Sequence, residues 1–214
     1  MEGALSRPRP SDASDRLAEL DPAIARIIDS VDSTAIDERI WSRMEDRFLA
    51  LIRIVVGQQV STAAAATVWE RILEAFGGLP TPESVTAPGS EDLLRGAGLS
   101  GRKASYVIGI AESIVSGDLR LGELDELSDA EVIETLVALR GIGPWSAEMF
   151  LLFDLGRPDV FSGGDLGLRE GVRIALELEE APTAEEAVAI AERWSPHRSL
   201  ACLYLWAAVH NSPR

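Results

Sequence analysis

Along nearly the whole chain, apolar residues recur three and four positions apart, the period of a helix with one buried face. Over residues 15–31 that face is Leu17, Leu20, Ile24, Ile27 and Ile28, and over 45–56 it is Phe48, Leu49, Leu51, Ile52, Ile54 and Val55. Gly57-Gln58-Gln59-Val60-Ser61 then breaks the pattern, and an alanine-rich helix resumes over 62–76 until Gly77-Gly78. Residues 79–90 read as a Pro- and Thr-rich connector. A short helix is predicted over 91–95, stopped by Gly96 and Gly98, and a longer one over 100–116 that carries Arg102, Lys103 and Tyr106 near its start. Further helices are predicted over 128–139, 166–176, 184–194 and 198–210, with capping-box spacing at Ser128/Glu131 and Thr183/Glu186. No stretch alternates as a strand, and no repeat of fixed period is present. The pattern predicts an all-α protein, with a polar, Pro-rich flexible arm over 1–14 ahead of a helical domain over 15–214.

Two glycine-rich turns punctuate this pattern. In Leu139-Arg140-Gly141-Ile142-Gly143-Pro144-Trp145-Ser146-Ala147, the glycines permit a tight hairpin and Pro144 suits the first turn of a new helix. A helix-hairpin-helix over about 128–153 follows. Such a helix start aims backbone N–H groups outward and can seat a phosphate; it can equally be a corner with no ligand. The second turn, Asp159-Val160-Phe161-Ser162-Gly163-Gly164-Asp165-Leu166-Gly167-Leu168-Arg169, ends in an aspartate at the start of another helix.

With these motifs in this order, the chain resembles the helix-hairpin-helix DNA glycosylases, specifically the alkylation-repair, 3-methyladenine DNA glycosylase II branch. The resemblance rests on Leu139 to Met149, on Asp159-Val160-Phe161 with Asp165-Leu166-Gly167-Leu168-Arg169, and on Glu192 to Ser199 with Trp206 beyond. It covers more than half the chain. It implies a two-lobed helical fold with the active-site cleft between lobes, in the compact form that lacks an extra N-terminal α/β domain.

The resemblance also implies a chemistry. Asp165 matches the catalytic aspartate, a carboxylate that offsets the positive charge developing on the sugar as an N-glycosidic bond breaks, and that orients or deprotonates the attacking water. Read from the residues alone, Asp165 is also a good helix N-cap. Trp145 stands where bifunctional relatives carry a nucleophilic lysine, and Lys103 is the only lysine of the chain, so a monofunctional enzyme that leaves an abasic site is implied. Trp145 and Trp206 match the aromatic walls that stack on a flipped base; as plain residues they are also core aromatics of apolar helices. Met149 replaces a tyrosine of some relatives, which implies a wider base pocket. Gln59 is the candidate plug for the gap in the duplex and Gln58 lies near the pocket, while a solvent-facing helix end is the alternative for both. Gly141, Gly143 and the N–H groups up to Ser146 are expected to hold a DNA phosphate, with Arg102, Lys103 and Arg198 as further phosphate contacts. The backbone carbonyls of Leu139 and Ile142 are candidates for a structural monovalent or divalent cation, with no cofactor needed for catalysis. Ser162, where many relatives have proline, implies a looser turn before Asp165.

Composition changes this picture in two places. The chain has 214 residues, is 46% hydrophobic and contains one cysteine, Cys202. It can bury a proper core, and one cysteine excludes an intrachain disulfide and the four-cysteine iron–sulfur cluster of some relatives. With no signal-peptide pattern or membrane-length apolar run, the expected setting is cytoplasmic, on DNA. The formal net charge of −15 runs against the basic face expected of a DNA-binding protein. The acid is concentrated, however. Residues 118–134 hold seven acids against Arg120 alone and 177–192 hold six with no basic residue, whereas 140–173 hold five acids and four arginines. The expected partner is therefore double-stranded DNA bearing a damaged base, bound by a monomer with steep salt dependence. Alternatives are a glycosylase for another base (hypoxanthine, uracil or a mismatched base), a non-catalytic DNA-binding protein that reuses the hairpin, and a helical protein-interaction domain.

Overall fold

The computed structural model describes residues 10–31, residue 36 and residues 46–211. Helices occupy Pro10–Leu20 (α1), Pro22–Ser30 (α2), Arg47–Gly57 (α3), Thr62–Phe76 (α4), Pro82–Thr86 (α5), Ser90–Gly96 (α6) and Gly101–Val115 (α7). They continue with Asp129–Val137 (α8), Pro144–Met149 (α9), Leu166–Ala175 (α10), Ala184–Ala191 (α11) and Arg198–Asn211 (α12). No strand occurs among the described residues, and none of the described helices is long and apolar enough to cross a membrane.

The departures from the sequence pattern have local causes. Residues 1–9 of the expected arm lie outside the described residues, but 10–14 already belong to α1. The single helix expected over 15–31 is two, because Asp21 is extended (φ −150°) and caps α2 by accepting the Ala23 N–H at 2.8 Å, with Pro22 in the first turn. The connector over 79–90 contains α5, started by a Thr81/Ser84 capping box. The second hairpin helix runs on from α9 as a π-helical segment, Phe150–Leu155. The helix expected to reach Trp194 ends at Ala191 and finishes in a 3₁₀ turn, Glu192–Trp194.

The chain divides into two compact units, Met44–Leu155 and Met1–Arg43 with Gly156–Arg214. In the first, α7 packs against α3, α5 and α6, and α3 also meets α4, α9 and the π-helical segment. Leu51, Ile52 and Val55, which the periodicity singled out, are closed to solvent together with Val107, Val132, Leu136, Phe150 and Leu151. Each such side chain contributes about 1.5–3 kcal/mol by leaving water.

In the second unit α12 packs on α1, α2 and α10. Gly171 allows the closest approach, since a Cβ there would sit 2.7 Å from Leu205 Cβ and 2.8 Å from its carbonyl oxygen. Two buried polar bonds join the chain's early helices to its late residues: Trp194 Nε1 donates to Asp21 Oδ2 at 3.0 Å, and the Ser14 and Tyr204 hydroxyls meet at 2.8 Å. Asp21 thus serves α2 as its cap and Trp194 as its acceptor at once. Its replacement by Ala should remove the cap and strand a buried indole N–H, costing about 2–4 kcal/mol. Urea unfolding of Asp21→Ala beside wild type measures this directly, and a loss under about 0.5 kcal/mol would mean that the pair carries no weight.

Candidate functional site

Asp165 lies in the unit built on α12. The Gly163-Gly164 turn delivers it, with Ser162 wholly buried and its carbonyl accepting the Asp165 N–H at 3.1 Å. The turn expected to be loose is therefore closed by a hydrogen bond. Gly163 is required by space, because a Cβ there would meet Val188 Cγ2 at 2.5 Å and the Ala184 carbonyl oxygen at 2.6 Å. Asp165 caps α10 in an extended conformation (φ −77°, ψ 118°), and Oδ1 accepts the Leu168 N–H at 2.8 Å. The same oxygen accepts Trp206 Nε1 at 3.0 Å.

The N-cap and site readings of Asp165 are thus compatible in one geometry. Capping fixes the backbone end of the carboxylate and the indole fixes its rotation. Gly167 keeps the space between them clear, since a Cβ there would lie 3.1 Å from both Asp165 Oδ1 and Trp206 Nε1. Leu166, which the sequence pattern did not single out, stands 74% exposed beside the carboxylate. A large apolar side chain left in water at the first position of a helix is the one signal that could have flagged it.

Arg198, in the same unit, is not placed as a phosphate contact. Its Nε donates to Asp159 Oδ1 at 2.8 Å, its Nη2 to Asp159 Oδ2 at 3.0 Å and its Nη1 to Glu192 at 3.2 Å, so the fork is filled by carboxylates. Burial pushes the Asp159 carboxyl up, but hydrogen bonds from the Arg198 side chain, the Ser195 hydroxyl and the Arg198 N–H outweigh it and hold the group below the usual carboxylate range. Asp159 opens the Asp159-Val160-Phe161 motif, but nothing in the sequence paired it with Arg198.

The hairpin belongs to the other unit. Gly141 has φ +92°, and a Cβ on it would lie 2.2 Å from the Tyr106 ring, so both conformation and space require glycine. The Arg140 guanidinium sits 5.8 Å from the same ring centroid. The Ile142 N–H donates to the Leu139 carbonyl at 3.1 Å, closing the turn. Gly143 enters α9 with no side-chain cap, so the N–H groups of Trp145 and Ser146 begin the helix behind Pro144. Trp145 is half-buried, Ile142, Ser146 and Met149 are buried, and Leu139 is partly exposed.

Gln58 and Lys103, like Arg198, are engaged within the protein. Gln58 was expected near the base pocket, yet its Nε2 donates to the Gly141 carbonyl at 2.9 Å and the Ser146 hydroxyl at 3.0 Å, which uses both amide protons on the hairpin. Lys103 was expected at a phosphate, yet Nζ donates to the Val56 carbonyl at 2.8 Å and the Gln58 carbonyl at 2.7 Å. Gln59 is exposed with φ 56°, and Arg102 is exposed with no ion pair among the described residues. No group of three His, Cys, Asp or Glu that could hold a metal occurs among the described residues.

A helical chain with this hairpin and this capped aspartate matches one family model over residues 52–197, that of the HhH-GPD superfamily base excision DNA repair proteins. The chain belongs to that superfamily. It is 37% identical over 159 residues to DNA-3-methyladenine glycosylase 1 of Schizosaccharomyces pombe, covering 73% of this chain and 69% of that protein. It is 31% identical over 176 residues to the DNA-3-methyladenine glycosylase of Bacillus subtilis, covering 77% of this chain. The chain spans 58% of that relative's length. Among solved structures, the S. pombe 3-methyladenine DNA glycosylase in complex with abasic DNA superposes with a TM-score of 0.79 at 31% identity, over 91% of this chain and 95% of that one. The matched segment contains both the HhH-GPD hairpin and Asp165, and it stops before Trp206.

The Asp159–Arg198 pair gives a pH-dependent prediction. Because the folded carboxyl lies below its usual value of 3.8, its stabilisation is complete above that pH and is lost as pH falls through the lower folded value. Asp159→Asn should therefore cost about 1–3 kcal/mol at neutral pH. The gap from wild type should narrow once the pH drops below about 4. Urea midpoints at pH 7, 5 and 3 check this, and an unchanged gap at pH 3 would refute it.

Proposed function

We propose that this chain is a monofunctional DNA glycosylase of base excision repair, which flips an alkylated purine out of duplex DNA and hydrolyses its N-glycosidic bond. The observation that carries the proposal is the Asp165 carboxylate, capped by α10 and hydrogen-bonded by Trp206, in a chain whose relatives are named 3-methyladenine glycosylases. Bond cleavage builds an oxocarbenium-like sugar, and a fixed carboxylate is worth more there than a mobile one because it needs no reorganisation as charge develops. The same group orients or deprotonates the water that adds to the sugar. An alkylated purine already carries positive charge, so it departs without a general acid.

Trp145 in one unit and Trp206 in the other each offer an indole face on which an electron-poor base can stack. Trp145 also occupies the place of the lysine that bifunctional relatives use, so the product is an intact abasic site. On the DNA side, the uncapped start of α9 offers N–H groups to a phosphate, and exposed Arg102 adds charge.

A hairpin cation fits the donor set in part. The Leu139 carbonyl has given one lone pair to the Ile142 N–H, leaving one for an ion, and oxygen-only ligands suit a hard cation that keeps waters or borrows a phosphate oxygen. Leu139 and Ile142 would hold it, and it would supply positive charge to a DNA phosphate rather than chemistry to the base.

The test is release of free base from methylated duplex DNA by wild type and Asp165→Asn, at low and moderate salt. Wild type should release methylpurines, and the Asn variant should release them at least about 10²-fold more slowly while binding abasic-site duplex comparably. Binding should weaken steeply with salt in both. Duplex binding without release by wild type would point to another base or a non-catalytic role. Equal release by both proteins would remove Asp165 from the chemistry.

A further inference from the structure

The turn that ends α3 is built more elaborately than a helix stop requires. Helix ends leave carbonyls without intrahelical donors. Here two of them, from Val56 and Gln58, converge on one ammonium, Lys103 Nζ, at 2.8 and 2.7 Å. A cation also suits a helix C-terminus electrostatically. The ammonium comes from the first turn of α7, a helix far along the chain that packs on α3, and Ser100 fixes that turn by accepting the Lys103 N–H at 3.2 Å. Among all 20 basic residues this is the single lysine. A compact ammonium can point at two carbonyls at once, whereas a planar guanidinium is a wide fork. Burial lowers the Lys103 pKa, the signature of a charge drawn away from water into this cradle.

Between the pinned carbonyls and the next helix stands Gln59, with φ 56°. A non-glycine residue rarely adopts this left-handed conformation, and it persists only where its surroundings dictate it. Gln59 is exposed and the following Val60 is 47% exposed, so the turn presents both outward. The neighbouring Gln58 reaches the other way, giving both amide protons to Gly141 and Ser146 of the hairpin. One continuous set of hydrogen bonds therefore runs from α7 through the turn to the hairpin.

We propose that Lys103 and Gln58 are positioning residues that lock the Gln58–Gln59 turn to the hairpin, so that seating a phosphate on the hairpin sets the register at which Gln59 and Val60 enter the duplex. The proposal rests on the glycosylase reading above. It moves both residues from direct DNA or base contact to control of the turn that makes such contact. Neither touches the reacting atoms, and their effect is on geometry.

The test uses the full chain and a duplex carrying a tetrahydrofuran abasic analogue beside 2-aminopurine, whose fluorescence reports unstacking when a side chain enters the gap. Methylpurine release in single turnover is measured in parallel. Lys103→Met and Gln58→Met each keep chain length and remove the donors, and Thr81→Ala, which removes the cap of α5 and touches no member of this network, is the control for stability alone. At saturating protein, each methionine variant should lose at least half of the wild-type fluorescence change and release base about tenfold more slowly. Thr81→Ala should keep both within twofold despite a lower unfolding temperature. The double methionine variant should be little slower than the slower single one, because one network is broken once. If Lys103→Met does not fold, Gln58→Met decides alone.

The proposal is overturned if the folded methionine variants match wild type within twofold. It is equally overturned if Thr81→Ala loses signal and rate in step with its stability. A wild type that neither alters this fluorescence nor releases base overturns the glycosylase reading itself, and this inference with it.

Discussion

A single carboxylate oxygen carries two constraints. Asp165 Oδ1 accepts both the first-turn N–H of α10 and the indole N–H of Trp206. The first bond starts the helix, and the second ties that start to α12, around which this unit is assembled. Three glycines follow from it: Gly163 admits the turn, Gly167 leaves the indole room and Gly171 lets α10 lie against Leu205. Helix capping and site construction are thus the same event, and a carboxylate aligned before substrate arrives needs no rearrangement when charge develops.

In the other unit the equivalent economy is at the hairpin. Gly141 is pressed onto Tyr106, and its carbonyl is the acceptor for Gln58. A hairpin held from behind can leave its outward N–H groups to a ligand, which lessens the need for basic side chains. That bears on the net charge of −15. All six acids of residues 177–192 are exposed, as are six of the seven over 118–134, where Asp129 alone is half-buried. They form solvated faces.

How much of this was legible in the sequence depended on distance along the chain. Helix periodicity, capping boxes and glycine stops act within a few residues, so α4, α7, α8, α10 and α12 stand within two residues of where the pattern places them. The break at Asp21 had a local signal in Asp21-Pro22, an N-cap followed by a helix-starting proline, and only the Trp194 bond that supports it, 173 residues away, lay beyond reach. Asp165 and the hairpin glycines were readable because their motifs are local. The partners of Arg198, Lys103 and Gln58 were not, since a side chain's charge or amide says nothing of which distant carbonyl or carboxylate will use it. Arg198 and Lys103 were expected at DNA phosphates and Gln58 near the base pocket, and each is engaged by the protein's own oxygens.

In the proposed chemistry the Trp206 indole N–H, and not only its ring, prepares Asp165 for its role. Trp206→Phe separates the two, because phenylalanine keeps an aromatic wall and removes the donor. The decisive measurement is the single-turnover rate of methylpurine release at saturating enzyme, beside the affinity for abasic-site duplex. A rate at least about tenfold lower is expected, with affinity within threefold of wild type. A rate equal to wild type would show that the carboxylate needs no such anchor.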